Sequence, residues 1–236
     1  PLLVGGNPFS TTCIYSLIHY LERKHGVYFA MGGTGALVKG LGKLMEEIGV
    51  KINVNTTIEK IHMKSGIVSK IFDNKGKERT ADVIVSNIDP MHLYTELIGT
   101  KRNMLLNYKK KFFKSSMGLY VLFFGTRKKY PSIKHHTIVF GKDYKVLLDK
   151  IFKTLELPED ISLYLHRPTA TDSSFAPKDC DSFYALVPVP NLIAKINWNK
   201  KGIIFKELVI DILSKNLMKD LRSNITDVFF MTPQDF

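Results

Sequence analysis

Residues 4–36 read VGGNPFSTTCIYSLIHYLERKHGVYFAMGGTGA, and this stretch joins two glycine-rich turns to a helix edged with aromatic residues. Gly5 and Gly6 tolerate positive φ, and the Asn7-Pro8 step that follows biases the backbone out of helix, so a sharp turn is expected. Ser10, Thr11 or Thr12 then stands ready to cap a helix over about 13–24. In that helix Ile14, Leu17, Ile18 and Leu21 recur at helical spacing beside Tyr15, His19 and Tyr20, and Gly26 ends it. Residues 27–31 read as a short strand. Gly32-Gly33-Thr34-Gly35 delivers the chain to a second helix, apolar at Leu37, Val38, Leu41, Leu44, Met45 and Ile48, with Gly49 as its C′ residue.

Outward from there, β-branched clusters predict strands over 50–54, 57–62 and 67–72, with turns at Lys64-Ser65-Gly66 and Asp73-Asn74-Lys75-Gly76. Residues 80–85 read as a buried strand emerging at Ser86-Asn87. A helix over 91–98 and a basic connector or helix over 101–114 follow. Strands are then expected at 117–124, 137–140, 161–164, 182–189 and about 226–231, with helices at 143–152 and 203–217, and these strands should form a second sheet carrying helices on one face. The expected fold class is a mixed α/β chain.

The bulk properties narrow the choice of function. A chain of 236 residues, 44% hydrophobic and 24% charged, can bury a full core in one or two domains. It starts at Pro1 without a signal-like apolar run, which predicts an internal fragment, and no stretch reaches the eighteen apolar residues of a membrane span. Two cysteines, Cys13 and Cys180, make no framework and point to a reducing, cytoplasmic setting. The net charge of +12 invites a nucleic-acid hypothesis, but only six of the 34 basic residues are Arg. No nucleic-acid partner is expected; a basic binding module with aromatic stacking platforms is the rival from another class.

Local motifs give little chemistry. Gly33-Thr34-Gly35-Ala36-Leu37-Val38 misses the dinucleotide fingerprint at its third glycine, and Ile52-Asn53-Val54-Asn55 lacks the expected acidic residue. Three glycines would still let this backbone pass close to a flat ligand. His135 and His136 are adjacent, so on a strand they would face opposite ways, and no metal site is expected. Asp172-Ser173-Ser174 reads as a loop or turn.

A family resemblance supplies the reaction. VGGNPF, SLIHYLERKHGVYF, GGTGALVKGL, NVNTTIEKI, ADVIVSN, HHTIVFG, SLYLH, TDSSFAP, YALVPVP and MTPQDF stand in the order of the corresponding segments of phytoene desaturases. The chain resembles roughly the second and third quarters of that bacterial and fungal group, which belongs to the flavin-dependent amine-oxidase-like superfamily. The resemblance implies part of an FAD-binding Rossmann-like domain at 36–90, a substrate-domain helix and junction at 1–35, and a substrate-binding domain with a mixed sheet and helices at 91–236. The family's N-terminal glycine fingerprint and C-terminal flavin segment are not in this sequence, so the fragment is expected to be inactive alone.

The implied activity is FAD-dependent removal of hydride from phytoene, or from a diapophytoene or ζ-carotene relative, with carotene isomerases as close kin. Cofactor contacts carry over to Gly32, Gly33, Thr34, Gly35 and Ala36 beside the flavin, to Ile58 through its backbone at adenine, and to Ser86 and Asn87 at a strand end. An uncharged polyene needs an apolar, aromatic tunnel, for which Phe9, Tyr15, Tyr28, Phe29, Phe123 and Phe124 are the expected lining. No side chain here is assigned as acid or base. A lipid-soluble substrate further implies work at a membrane surface without spanning it, helped by the basic excess and by an amphipathic 203–217 segment.

Overall fold

The computed structural model describes residues 4–98 and 115–236, so the basic connector expected over 101–114 lies outside the described residues. The chain divides into two compact units, one made of residues 1–40 and 115–236, the other of residues 41–114.

The first unit is built on a five-stranded sheet in the order β5-β6-β7-β4-β8. Its strands are β4 (Gly118–Thr126), β5 (His136–Val139), β6 (Leu163–His166), β7 (Asp181–Val189) and β8 (Ile225–Met231). Every described pairing in it is antiparallel. Strand pleating sends Tyr120, Leu122 and Phe124 of β4 and Phe183, Ala185 and Val187 of β7 to one face, where all are buried. Against that face lies a long helix, Trp198–Asn216, whose Asn197 side chain caps the Lys200 N–H. Phe205, Val209 and Leu213 of this helix are buried on the sheet. Gly202 makes the approach feasible: a Cβ there would lie 2.7 Å from the Phe230 ring, and the Tyr120 hydroxyl donates to the Gly202 carbonyl at 2.9 Å.

Two polar devices fix the ends of this unit. Asp181, at the start of β7, accepts from Arg167 Nε at 2.9 Å, from Thr169 Oγ1 at 2.6 Å and from the Tyr130 N–H at 2.7 Å, while Arg167 also donates to the Ile133 carbonyl. Asp143 caps the short helix Tyr144–Asp149, which runs on as a π-helical turn and buries Leu147 and Ile151 against Met117.

At the N-terminal end Asn7 organises the glycine turn as the sequence predicts, its carbonyl accepting from Ser10 and Thr11 and its side chain from the Phe9 N–H. Thr12 caps a 3-10 turn that becomes α1 (Ser16–His25), and Gly26, at φ +79°, stops it. The strand expected over 27–31 is corrected: these residues join no sheet, and Met31 already belongs to the turn before the next helix. Then comes α2 (Gly33–Glu47), closed where Gly49 takes φ +82° and the Val50 N–H donates to the Met45 carbonyl.

The second unit holds a three-stranded antiparallel meander: β1 (Ile58–Lys64), β2 (Ile67–Asp73) and β3 (Glu78–Arg79). The β1–β2 turn uses positive φ at Ser65 and Gly66. Asp73 ties the β2–β3 turn by accepting from the Lys75 and Lys77 N–H groups and from Arg79 at 3.0 Å. The strands expected over 50–54 and 80–85 are corrected: those residues join no strand ladder among the described residues. Val54, Val83 and Val85 are 75%, 77% and 89% exposed. β-branched residues favour extended backbone, but a strand also needs a ladder partner.

Candidate functional site

The sheet face opposite the long helix carries a row of aromatic rings, one from each strand. Register places Phe229 of β8 beside Phe123 of β4, Phe123 beside Tyr184 of β7, Tyr184 beside His166 of β6 and His166 beside His136 of β5. Ring centroids are 4.7 Å apart for Phe123 and Phe229, 5.9 Å for Phe123 and Tyr184, and 4.5 Å for Tyr184 and His166. The first and last of these pairs are close to parallel, at 12° and 22°. The result is an aromatic band five strands wide, on the order of 20 Å at the usual strand spacing, with the Phe123–Tyr184 and His136–His166 ring pairs tilted by 51° and 50°.

At its β5 and β6 end the band meets three histidines. His135 and His136 have ring centroids 4.5 Å apart, and His135 and His166 are 4.6 Å apart. The expectation that the two adjacent histidines face opposite ways is therefore corrected. His136 opens β5, whereas His135 precedes it, outside the pleat that would alternate their directions. His136 Nδ1 and His166 Nδ1 both hydrogen-bond the Tyr164 hydroxyl, at 2.6 and 2.9 Å, and His135 Nδ1 pairs with Thr171 Oγ1. Burial first, then the neighbouring imidazoles, pushes His166 down to about 4 and lowers His135 as well. Burial also raises the Tyr164 phenol.

Phe29 packs edge-on against His135 at 4.6 Å and against Phe175 at 5.9 Å. Next to it, Gly32 and Gly33 take φ of +81° and +76°, and the Gly32 N–H donates to Asp172 Oδ2 at 2.7 Å. A Cβ on Gly33 would stand 2.8 Å from the Phe175 ring. Asp172, expected only as part of a loop, thus anchors the glycine turn. Hydrogen bonds from Ser174 and from the Gly32 N–H hold its carboxyl below the usual range.

Among the cofactor candidates, Gly33, Thr34, Gly35 and Ala36 form the first turn of α2, with Gly33 buried and the other three exposed. The Gly33 N–H is taken by the Ala30 carbonyl, while the next two amides, of Thr34 and Gly35, have no intrahelical acceptor. A Cβ on Gly35 would meet nothing within 4 Å. Ile58, Ser86 and Asn87 belong to the second unit: half-buried Ile58 opens β1 opposite Asp73, and the two polar residues lie exposed on an extended segment.

Of the expected lining, Phe123 is on the aromatic band and Phe29 beside its histidine end. Phe124 is corrected: pleating turns it to the other face, where it is 4% exposed and stacked on Phe183. Phe9 contacts Tyr144 at 6.4 Å, and Phe9, Tyr15 and Tyr28 are all exposed. Sequence reading missed Tyr184, Phe229, Tyr164 and His166. The alternation in DSFYALV and ITDVFFM carries a signal for the first two, but the cross-strand register that aligns them is not local information.

Comparison with known proteins agrees with this architecture. The family model described as flavin containing amine oxidoreductase matches residues 2–169. The chain is 42% identical over 241 residues to the lycopene-forming phytoene desaturase of Pseudescherichia vulneris, covering 100% of this chain and 48% of that protein. It is 37% identical over 243 residues to the neurosporene-forming phytoene desaturase of Rhodobacter capsulatus, covering 100% and 46%. Among solved structures, an oxidoreductase from Methanosarcina mazei superposes with a TM-score of 0.65 at 14% identity, over 93% of this chain and 47% of the other. The chain spans about half the length of the curated relatives it matches.

Proposed function

The chain belongs to the flavin containing amine oxidoreductase family, and from that premise we propose that it forms part of an FAD-dependent phytoene desaturase of carotenoid biosynthesis. The observation that carries the reading is the aromatic band from Phe229 to His136. A polyene offers no charge or hydrogen bond to grip, so it can be oriented only by shape and by an extended apolar wall. The Phe229, Phe123 and Tyr184 rings, on three adjacent strands, offer such a wall, and they are the proposed substrate contacts.

The residues present fit a flavin at the start of α2. Two amides without intrahelical acceptors, at Thr34 and Gly35, and the positive end of a fifteen-residue helix favour an electron-rich partner. Gly35 adds no side chain to block one. In the first unit Gly32 to Ala36 are the proposed flavin contacts, and in the second unit Ile58, Ser86 and Asn87 are proposed cofactor contacts on their own account; when bound the flavin supplies the hydride acceptor. In the first unit, Asp172 fixes the Gly32 turn and Phe175 fills the space beside Gly33, so the α2 amides are positioned before any ligand arrives.

Domain roles follow the same reading: the second unit contributes to the cofactor domain, and the aromatic sheet of the first unit binds substrate. Because that substrate partitions into lipid, we place the protein in the cytoplasm at a membrane surface, with the +12 net charge favouring anionic headgroups. No helix among the described residues is long and apolar enough to cross a membrane. The long helix buries Phe205, Val209 and Leu213 on the sheet and leaves Ile203 and Ile204 exposed. Flotation of the full-length protein with anionic vesicles at low salt should succeed; recovery in the pellet fraction alone would remove the membrane assignment.

The reaction is tested by adding phytoene anaerobically to the full-length protein loaded with FAD. Loss of the oxidised-flavin absorbance together with a desaturated product is expected. An unchanged flavin spectrum and recovered phytoene would contradict the assignment.

A further inference from the structure

We propose that His135, His136 and His166 form a three-imidazole binding site for one divalent transition-metal ion of the zinc class. The fold brings them together from two neighbouring strands, since His136 pairs directly with His166 in the ladder and His135 immediately precedes β5. One ring nitrogen from each lies within 4.8 Å of those of the other two. Nitrogens around a tetrahedral zinc ion at its usual bond length are about 3.4 Å apart. The rings therefore need to close by at most about 1.4 Å, a movement side-chain torsions can supply.

The surrounding hydrogen bonds prepare these rings as ligands. His136 Nδ1 and His166 Nδ1 share the Tyr164 hydroxyl, and His135 Nδ1 pairs with Thr171. The Tyr164 hydroxyl oxygen has two lone pairs and can accept from both imidazoles. When Nδ1–H is the donor on each ring, Nε2 carries the lone pair on all three. A separate observation points the same way: His135 Nε2 is buried and has no hydrogen-bond partner. A buried nitrogen of this kind calls for a proton donor or a metal ion, and two further imidazoles stand beside it. The ligand set is all imidazole, which selects zinc, cobalt, nickel or copper over magnesium or calcium, and three protein ligands leave one position open. The inference stands on the histidine geometry alone and does not depend on the desaturase reading.

The test uses the full-length protein without an affinity tag, stripped by chelator and titrated with Zn²⁺ by calorimetry and with Co²⁺ by visible absorption. Saturation at one ion per chain is expected, with the intense absorption of tetrahedral cobalt. His136→Gln and His166→Gln should each weaken binding about tenfold or more, while His19→Gln, on exposed α1, should leave it unchanged. Absence of saturable binding, or an affinity unaffected by His136→Gln, would overturn the proposal. His136 is exposed, so this variant decides the matter even if His166→Gln fails to fold.

Discussion

At the scale of single residues, the glycine turn ahead of α2 separates two kinds of glycine that look alike in sequence. Gly33 has φ +76° and its missing Cβ makes room for the Phe175 ring, whereas Gly35 is helical and faces open space. Gly33→Ala should therefore cost about 1–3 kcal/mol of stability, through backbone strain and the ring it displaces. Gly35→Ala should leave the melting temperature of the full-length protein unchanged or slightly raised, and equal losses for the two variants would remove the distinction. Asp181 is the other decisive residue. It is 1% exposed and holds Arg167, Thr169 and the Tyr130 N–H together. Asp181→Asn should destabilise by about 3–5 kcal/mol, because it leaves a buried guanidinium without its counter-charge. A denaturant midpoint close to wild type would show that Arg167 finds another partner.

At the scale of elements, much was legible wherever a local pattern decides the outcome. Asn7-Pro8, the Thr12 cap, Gly26, Gly49 and the Asp73 turn all do in the structure what their chemistry predicts. Failures occur where the decision lies elsewhere in the chain. Val83 and Val85 have strand propensity but no described ladder partner, and Phe123 and Phe124 part company because pleating divides neighbours between two faces. The histidine corner was misread because alternation was applied to a residue one position outside its strand. One long-range tie at this scale is open to a pH test. Asp172 accepts from the Gly32 N–H, and its folded pKa lies below the ordinary 3.8. A depressed carboxylate contributes stability above its unfolded pKa, and that contribution is lost as pH falls through the folded value. Amide exchange at Gly32 should therefore accelerate below about pH 4 relative to the sheet, and Asp172→Asn should show the fast exchange at neutral pH already. Equal exchange in wild type and variant would mean that the contact does not hold the turn.

At the scale of the whole molecule, the order of ten short segments identified the family, while no single motif identified a reaction. Composition and charge could not have done so, since an ordinary apolar content and a basic excess suit many folds. The exposed apolar residues of α2, among them Val38 and Leu44, and of residues 80–85 fit a chain that spans about half the length of its relatives. The proposed substrate surface is likewise a property of the assembled sheet, because Phe229, Phe123 and Tyr184 meet only after three strands are in register. Phe229 is 57% exposed, so Phe229→Ala should leave stability nearly intact and act on substrate handling. The most direct test is product analysis of the full-length gene, wild type and Phe229→Ala, in a host that accumulates phytoene. The wild type should convert phytoene to desaturated carotenoids, and the variant, at equal protein level and equal bound flavin, should leave several-fold more phytoene unconverted. Unchanged phytoene in the wild type, or identical product profiles for the two, would contradict an aromatic sheet that holds the polyene for desaturation.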